Sequence, residues 1–168
     1  MSVEIRESAI HGQGVYANTP LRKHQIIAPI NIIREITEEH PLDPEKGELY
    51  HHCHWYPDGR VILTGEPYCY TNHSCDPNVF LYTVNGMSYV FAMRDIAAGA
   101  ELTLEYSLCN FDGEVWECRC GAWGCRGVHH CGFQYMEKSR QLELLPYLDP
   151  VIVWYHQDYI RVILSEMA

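Results

Sequence analysis

The sequence predicts a mainly β chain that ends in short helices. Three observations carry that reading. Short β-branched and aromatic runs, separated by turn residues, fill the first hundred positions. Asn85-Gly86 stands between two strand-like runs. The last stretch of the chain changes from alternation to helical periodicity.

In order along the chain, Ile26 to Ile36 is largely apolar and β-branched and reads as one or two strands. His40 to Gly47, rich in proline and acid, reads as a surface loop. Pro57-Asp58-Gly59 is a turn signal before a short strand at Arg60 to Leu63. Asn78 to Val84 and Ser88 to Met93 form a hairpin, because Asn-Gly tolerates the left-handed backbone of a type I′ turn. Ala97-Ala98-Gly99 turns the chain again. Glu101 to Tyr106 alternates, with Leu102 and Leu104 on one face and Thr103 and Glu105 on the other, as in a half-buried strand. A short helix covers Glu137 to Leu145. Asp149 caps a second helix with Pro150 at its first position, and Ile152, Tyr155, Tyr159 and Ile163 give it one apolar stripe, a core face or a dimer face.

The 168 residues suit one core without disulfide support. A formal net charge of −10 disfavours direct nucleic-acid binding and favours a basic protein or peptide partner. No apolar run approaches the roughly 20 residues of a membrane span. The N-terminal Met1 to Glu7 lacks the basic-then-apolar order of a signal peptide, so the expected setting is intracellular and soluble, cytoplasmic or nuclear, away from membranes. There, clustered cysteines are more often metal ligands than disulfides.

Four segments carry chemistry. His11-Gly12-Gln13-Gly14 lets the backbone turn tightly or approach a ligand closely. Tyr70-Thr71-Asn72-His73-Ser74-Cys75-Asp76-Pro77-Asn78 is a dense polar cluster, either a proline-closed turn or a site. Glu101-Leu102-Thr103-Leu104-Glu105-Tyr106 is the strand above. In Cys118-Arg119-Cys120-Gly121-Ala122-Trp123-Gly124-Cys125-Arg126-Gly127, three thiolates can reach one tetrahedral zinc, one ligand short of a closed site. Free thiols or a disulfide are the alternatives.

Taken together and in this order, Asn-His-Ser-Cys-x-Pro-Asn, Glu-Leu-Thr-x-x-Tyr and Cys-x-Cys-x4-Cys-Arg-Gly resemble the SET domain of protein-lysine methyltransferases followed by its post-SET zinc motif. The resemblance runs from about Glu7 to Gly127 and includes Phe91 to Gly99. It implies a β-clip fold of several small sheets with a pseudoknot, a zinc-bound post-SET loop and C-terminal helices. The implied division is a SET domain over 1–110, a post-SET motif over 111–131 and a helical extension over 132–168. The implied activity is methyl transfer from S-adenosylmethionine to a lysine ε-amine of a protein. Gly12, Gln13, Gly14, Asn72 and His73 would hold the cofactor, and Tyr106 would be the catalytic tyrosine. Cys118, Cys120 and Cys125 would bind one structural zinc, with Cys75 as fourth ligand. Leu104 stands where the family commonly has an aromatic that sets how many methyl groups are added. Glu105 replaces a common aspartate and Cys69 a common arginine.

Other features have plainer readings. His51, His52, Cys53 and His54 form an exposed histidine-rich loop, or else the metal site of a hydrolase. His129, His130 and Cys131 read as a linker to the helices. Trp123 covers an adenine or packs the cysteine loop. A SET-like chain without activity, serving as a binding module, is the alternative to an enzyme.

Overall fold

The computed structural model describes residues 2–56 and 58–165. Among the described residues, twelve strands form small sheets. They are β1 (Val3–Glu7), β2 (Gln13–Ala17), β3 (Ile26–Pro29), β4 (Ile32–Ile36), β5 (Cys53–Trp55) and β6 (Val61–Thr64). These are followed by β7 (Asn72–His73), β8 (Val79–Val84), β9 (Met87–Ala92), β10 (Glu101–Leu104), β11 (Val115–Glu117) and β12 (Val128–His130). Among the described residues three α-helices follow: α1 (Lys138–Leu144), α2 (Pro150–Tyr155) and α3 (Gln157–Ser165).

The sheet orders are β1-β2-β10-β7, β3-β9-β8, β4-β6-β5 and β11-β12. The hairpin forms in the expected register: Val84 pairs with Met87 across Asn85 (φ 52°) and Gly86 (φ 78°). Its strand β8 has no solvent face along its first half. Val79 and Leu81 enter a core with Val15, Leu21, Leu102 and Leu104, while Phe80 enters a second core with Phe133, Leu144, Ile152 and Ile160. Each such apolar side chain contributes about 1.5–3 kcal/mol on burial. The β8–β9 hairpin therefore joins the sheets to the helices.

β10 is the strand that positions the chemistry. It pairs antiparallel with β2 and parallel with β7, where Thr103 faces Asn72 and Leu104 faces His73. This brings the two polar motif segments side by side. The expectation of a half-buried strand fails here: Thr103 and Glu105 are buried as well as Leu102 and Leu104. Asn78 holds the loop after β7 on this strand, its amide donating to the Glu101 carbonyl (2.7 Å) and its carbonyl accepting from Thr103 N–H (2.9 Å).

Asp149 caps α2 through Val151 N–H (2.8 Å), with Pro150 behind it. The predicted continuous helix breaks at His156, the C-cap of α2. The break rotates the stripe, so Ile160 joins Ile152 and Ile163 in the core and Tyr159 stays exposed. No helix of the described residues is long and apolar enough to cross a membrane. Pro57 of the predicted turn lies outside the described residues. The backbone on either side of it closes as a turn, Gly59 N–H donating to the Tyr56 carbonyl (3.0 Å).

Candidate functional site

A cavity of about 800 Å³ opens between the β2 loop, the β7 segment and the cysteine loop. Gly12, Gln13, Asn72, His73 and Tyr106 all border it. Gly14 does not. It lies behind the wall, where an added Cβ would collide with the Glu101 carboxylate. Aromatic rings of Tyr50, Trp55, Tyr70, Tyr106 and Trp116 give much of the lining.

Asn72 ties the wall together. Its amide donates to the carbonyls of His11 (3.1 Å) and Gln13 (2.9 Å) and to Glu101 Oε1 (2.9 Å). Glu101 also accepts from Ser8 Oγ (2.8 Å) and Tyr16 Oη (3.0 Å). Glu101 belongs to the Glu-Leu-Thr segment, yet alternation could not reveal that its carboxylate gathers three partners from distant parts of the chain.

Tyr106 opens a 3₁₀ turn over Tyr106–Leu108. Its hydroxyl donates to the Thr71 carbonyl (2.9 Å). Burial, then the neighbouring Cys109, push its pKa well above the usual phenol value. The hydroxyl therefore stays protonated at neutral pH and serves as a hydrogen-bonding group, not as a phenolate base.

His73 accepts from Tyr106 N–H at Nδ1 (3.4 Å), which leaves Nε2–H directed at Cys75 Sγ (3.6 Å). Burial, then the charges of His129 and Arg126, lower its pKa to about 2, so the ring is neutral. His129 packs against it with ring centroids 4.3 Å apart. His129 is buried in β12, which corrects its reading as a linker. Strands β11 and β12 bracket the cysteine loop, and this non-local pairing was invisible in three polar letters.

The four sulfurs of Cys75, Cys118, Cys120 and Cys125 lie within 4.8 Å of one another, and no cysteine is in a disulfide. A tetrahedral zinc with bonds of about 2.3 Å requires sulfurs about 3.8 Å apart. The Cys75–Cys118 separation is 3.8 Å, so the donor set fits a closed zinc site. Burial pushes the Cys120 thiol up, but N–H groups of Cys75 and Ala122 outweigh it and bring its pKa down to about 7. His73, Glu105 and His129 also converge within ligand distance. There the Arg126 guanidinium already neutralises Glu105 (2.7 Å), so the position is filled by a fixed cation.

Three expectations are corrected. His51 is exposed, but His52 and His54 are buried, so residues 51–54 are not an exposed loop; β5 pairs with β6 and turns Cys53 and His54 inward. Nor do they converge as a metal site among the described residues. Trp123 stands wholly in solvent, 105% exposed, and neither packs the loop nor covers the cavity. Leu104 lies in the core and not on the cavity wall, which Tyr70 borders instead.

His54 carries a pH prediction. It stacks on Tyr56 (4.6 Å), its Nε2 has no hydrogen-bond partner among the described residues, and burial pulls its pKa down to about 4. The unfolded value is about 6.5, so its neutral form stabilises the fold above that pH, and this contribution is lost as pH falls towards 4. The gap is worth about 3 kcal/mol. Urea unfolding at pH 7.5 and pH 4.5 should show that loss, reduced in His54→Phe. Equal pH dependence in both proteins would refute the assignment.

The SET domain family profile matches residues 12–107, more than half of the chain. Among curated relatives, histone-lysine N-methyltransferase ash1 of Drosophila melanogaster is 33% identical over 139 residues, 75% of this chain and 6% of that protein. Histone H3-lysine(4) N-trimethyltransferase ATX1 of Arabidopsis thaliana is 34% identical over 136 residues, 73% of this chain and 12% of that protein. Human histone-lysine N-methyltransferase 2D is 32% identical over 137 residues, 74% of this chain and 2% of that protein. The fold and the cavity thus define a SET fold of small sheets with a few C-terminal helices. The chain belongs to the SET domain family. It spans only a small part of the length of the relatives it matches.

Proposed function

We propose that the chain is a protein-lysine methyltransferase that uses S-adenosylmethionine and methylates a lysine ε-amine in a basic protein segment. One observation carries the reading: the glycine loop, the Asn72–His73 segment and Tyr106, far apart in sequence, border one cavity. Gly12, Gln13, Asn72 and His73 would hold the cofactor, with Gly14 allowing the loop to seat against Glu101. Bound there, the cofactor supplies an already activated sulfonium methyl.

The acceptor must be a neutral amine, yet near pH 7 only about one free lysine in two thousand is neutral. An aromatic cavity excludes water and favours the uncharged form. Tyr106, with its O–H committed to Thr71, turns its lone pairs to the amine N–H and aligns the nitrogen. Most of the acceleration on this reading comes from positioning. Cys75, Cys118, Cys120 and Cys125 would hold a structural zinc that orders residues 111–131 as a post-SET unit between the SET domain and the helical extension. The relatives are named for histone lysines, and a net charge of −10 favours a basic segment of that kind. A nuclear or cytoplasmic setting suits such a substrate.

The test is calorimetry with S-adenosylmethionine, followed by transfer of labelled methyl into core histones and into a cell lysate. Binding and label on a lysine are the expected results. No heat and no melting shift at millimolar cofactor would overturn the reading. Asn72→Ala should weaken cofactor binding about tenfold or more, because it leaves two loop carbonyls and a carboxylate without their donor. Unchanged affinity in that variant would remove Asn72 from the cofactor wall.

A further inference from the structure

The cysteine loop and the Tyr106 turn meet at one buried ion pair. Glu105 has no exposed surface. Its Oε1 accepts from Ser107 N–H (3.3 Å) and so caps the turn that begins at Tyr106. Its Oε2 accepts from Arg126 Nη2 (2.7 Å), one residue beyond Cys125. The same guanidinium group donates to His129 Nδ1 (3.3 Å). With Nδ1 accepting, His129 Nε2 carries the proton and donates to Ser107 Oγ (3.5 Å), which donates in turn to the His130 carbonyl (3.3 Å). A single carboxylate thus joins the cap of one element to the end of another.

We propose that Arg126 is a positioning residue, whose ion pair with Glu105 transmits the order of the cysteine loop to the turn that holds Tyr106. The proposal rests on the reading of Tyr106 as the residue that aligns the amine. A buried carboxylate that loses its cation must protonate or move. Either change loosens the cap on Ser107 and lets the Tyr106 ring shift. Because close alignment governs transfer, a small shift costs turnover without touching the cofactor wall.

The experiment compares Arg126→Gln, Arg126→Lys and the double variant Glu105→Gln/Arg126→Gln by zinc content, melting, kcat and cofactor KM. Arg126→Gln should keep its zinc and its cofactor KM and lose about tenfold or more in kcat. The double variant should recover most of that loss, since no charge is stranded and the side-chain carbonyl that replaces the carboxylate can still cap Ser107 N–H. Arg126→Lys should fall between wild type and Arg126→Gln, because an ammonium keeps the charge and loses the planar fork. Full kcat in Arg126→Gln, loss of its zinc, or a double variant no better than the single one would overturn the proposal. If Arg126→Gln does not fold, hydrogen exchange of wild type decides. Stripping zinc should lower protection of the Ser107 amide at least about tenfold, and unchanged protection overturns the proposal. Tyr106→Phe separates the two levels. Full turnover there sinks the reading of Tyr106, whereas an inactive Tyr106→Phe beside a fully active Arg126→Gln sinks the role of Arg126 alone.

Discussion

Tyr106→Phe should lose methyl transfer by roughly 100-fold or more and keep its fold. The ring stays in place against His73 (5.4 Å), so packing is preserved. Only the bond from the hydroxyl to the Thr71 carbonyl is removed. A hydrogen bond of this kind is worth about 1 kcal/mol, which lowers melting by about 2–4 °C in a chain of this size. On the proposed mechanism, however, the amine loses the acceptor that aligns it. Cofactor affinity should be unchanged, since Asn72 and the glycine loop are untouched. Turnover is measured with labelled cofactor and binding by calorimetry. Wild-type turnover in the variant would remove Tyr106 from the chemistry.

Removal of the metal should have the largest effect on local order. Metal analysis of the native chain should give about one zinc, and Cys118→Ser should give close to none. Binding at such sites is itself folding free energy, of order 10 kcal/mol, and a three-thiolate remnant keeps little of it. The expected damage is confined. Residues 115–130 depend on the four sulfurs, but the helices beyond them do not, because Phe133, Leu144, Ile152 and Ile163 pack against Phe80 and Met93 of the hairpin sheet. Limited proteolysis of the chelated protein should therefore cut between Glu117 and Val128 and spare α1 to α3. Cleavage throughout the helical region would show that the second core also needs the metal. Transfer should be abolished, with melting of the remaining core lowered but still cooperative.

Local signals are legible in the chain, and signals that depend on distant partners are not. Asn85-Gly86 determines a hairpin because both residues accept a positive φ, a property of two adjacent letters. Asp149-Pro150 marks a helix start for an equally local reason. The alternation of Leu102 and Leu104 gives the strand but assigns Thr103 and Glu105 to water. Their burial follows from a parallel neighbour thirty positions earlier and from Arg126 arriving afterwards, neither of which periodicity encodes. The cysteine spacing gives three candidate metal ligands, and only the family resemblance supplies Cys75. Geometry places its sulfur with the others. His52 and His54 read as solvated because histidine is polar. They are buried because β6 pairs beside His54, whose ring stacks on Tyr56, and the His52 ring meets Tyr70 edge-on. Trp123 reads as a cover for an adenine or as packing for the cysteine loop, yet it stands wholly in solvent.

The separation of the four sulfurs along the chain also bears on how the molecule is built. Cys118, Cys120 and Cys125 are joined by loops of a few residues, while Cys75 lies 43 positions before the first of them. Bringing chain ends together costs entropy that rises with the logarithm of the loop, so the three near thiols meet cheaply and the fourth meets them late. Cys75 is carried by the segment that follows β7, and β7 finds its parallel partner only after β10 has been made. Contacts of such separation are slow to form. Cys118, Cys120 and Cys125 follow β7 and β10 along the chain, so a zinc site begun on the trio would be completed by Cys75 once the central strands had docked. On this reading a complete thiolate shell reports that Cys75, 43 positions upstream, has been brought to the trio, and three exposed sulfurs mark chains in which it has not.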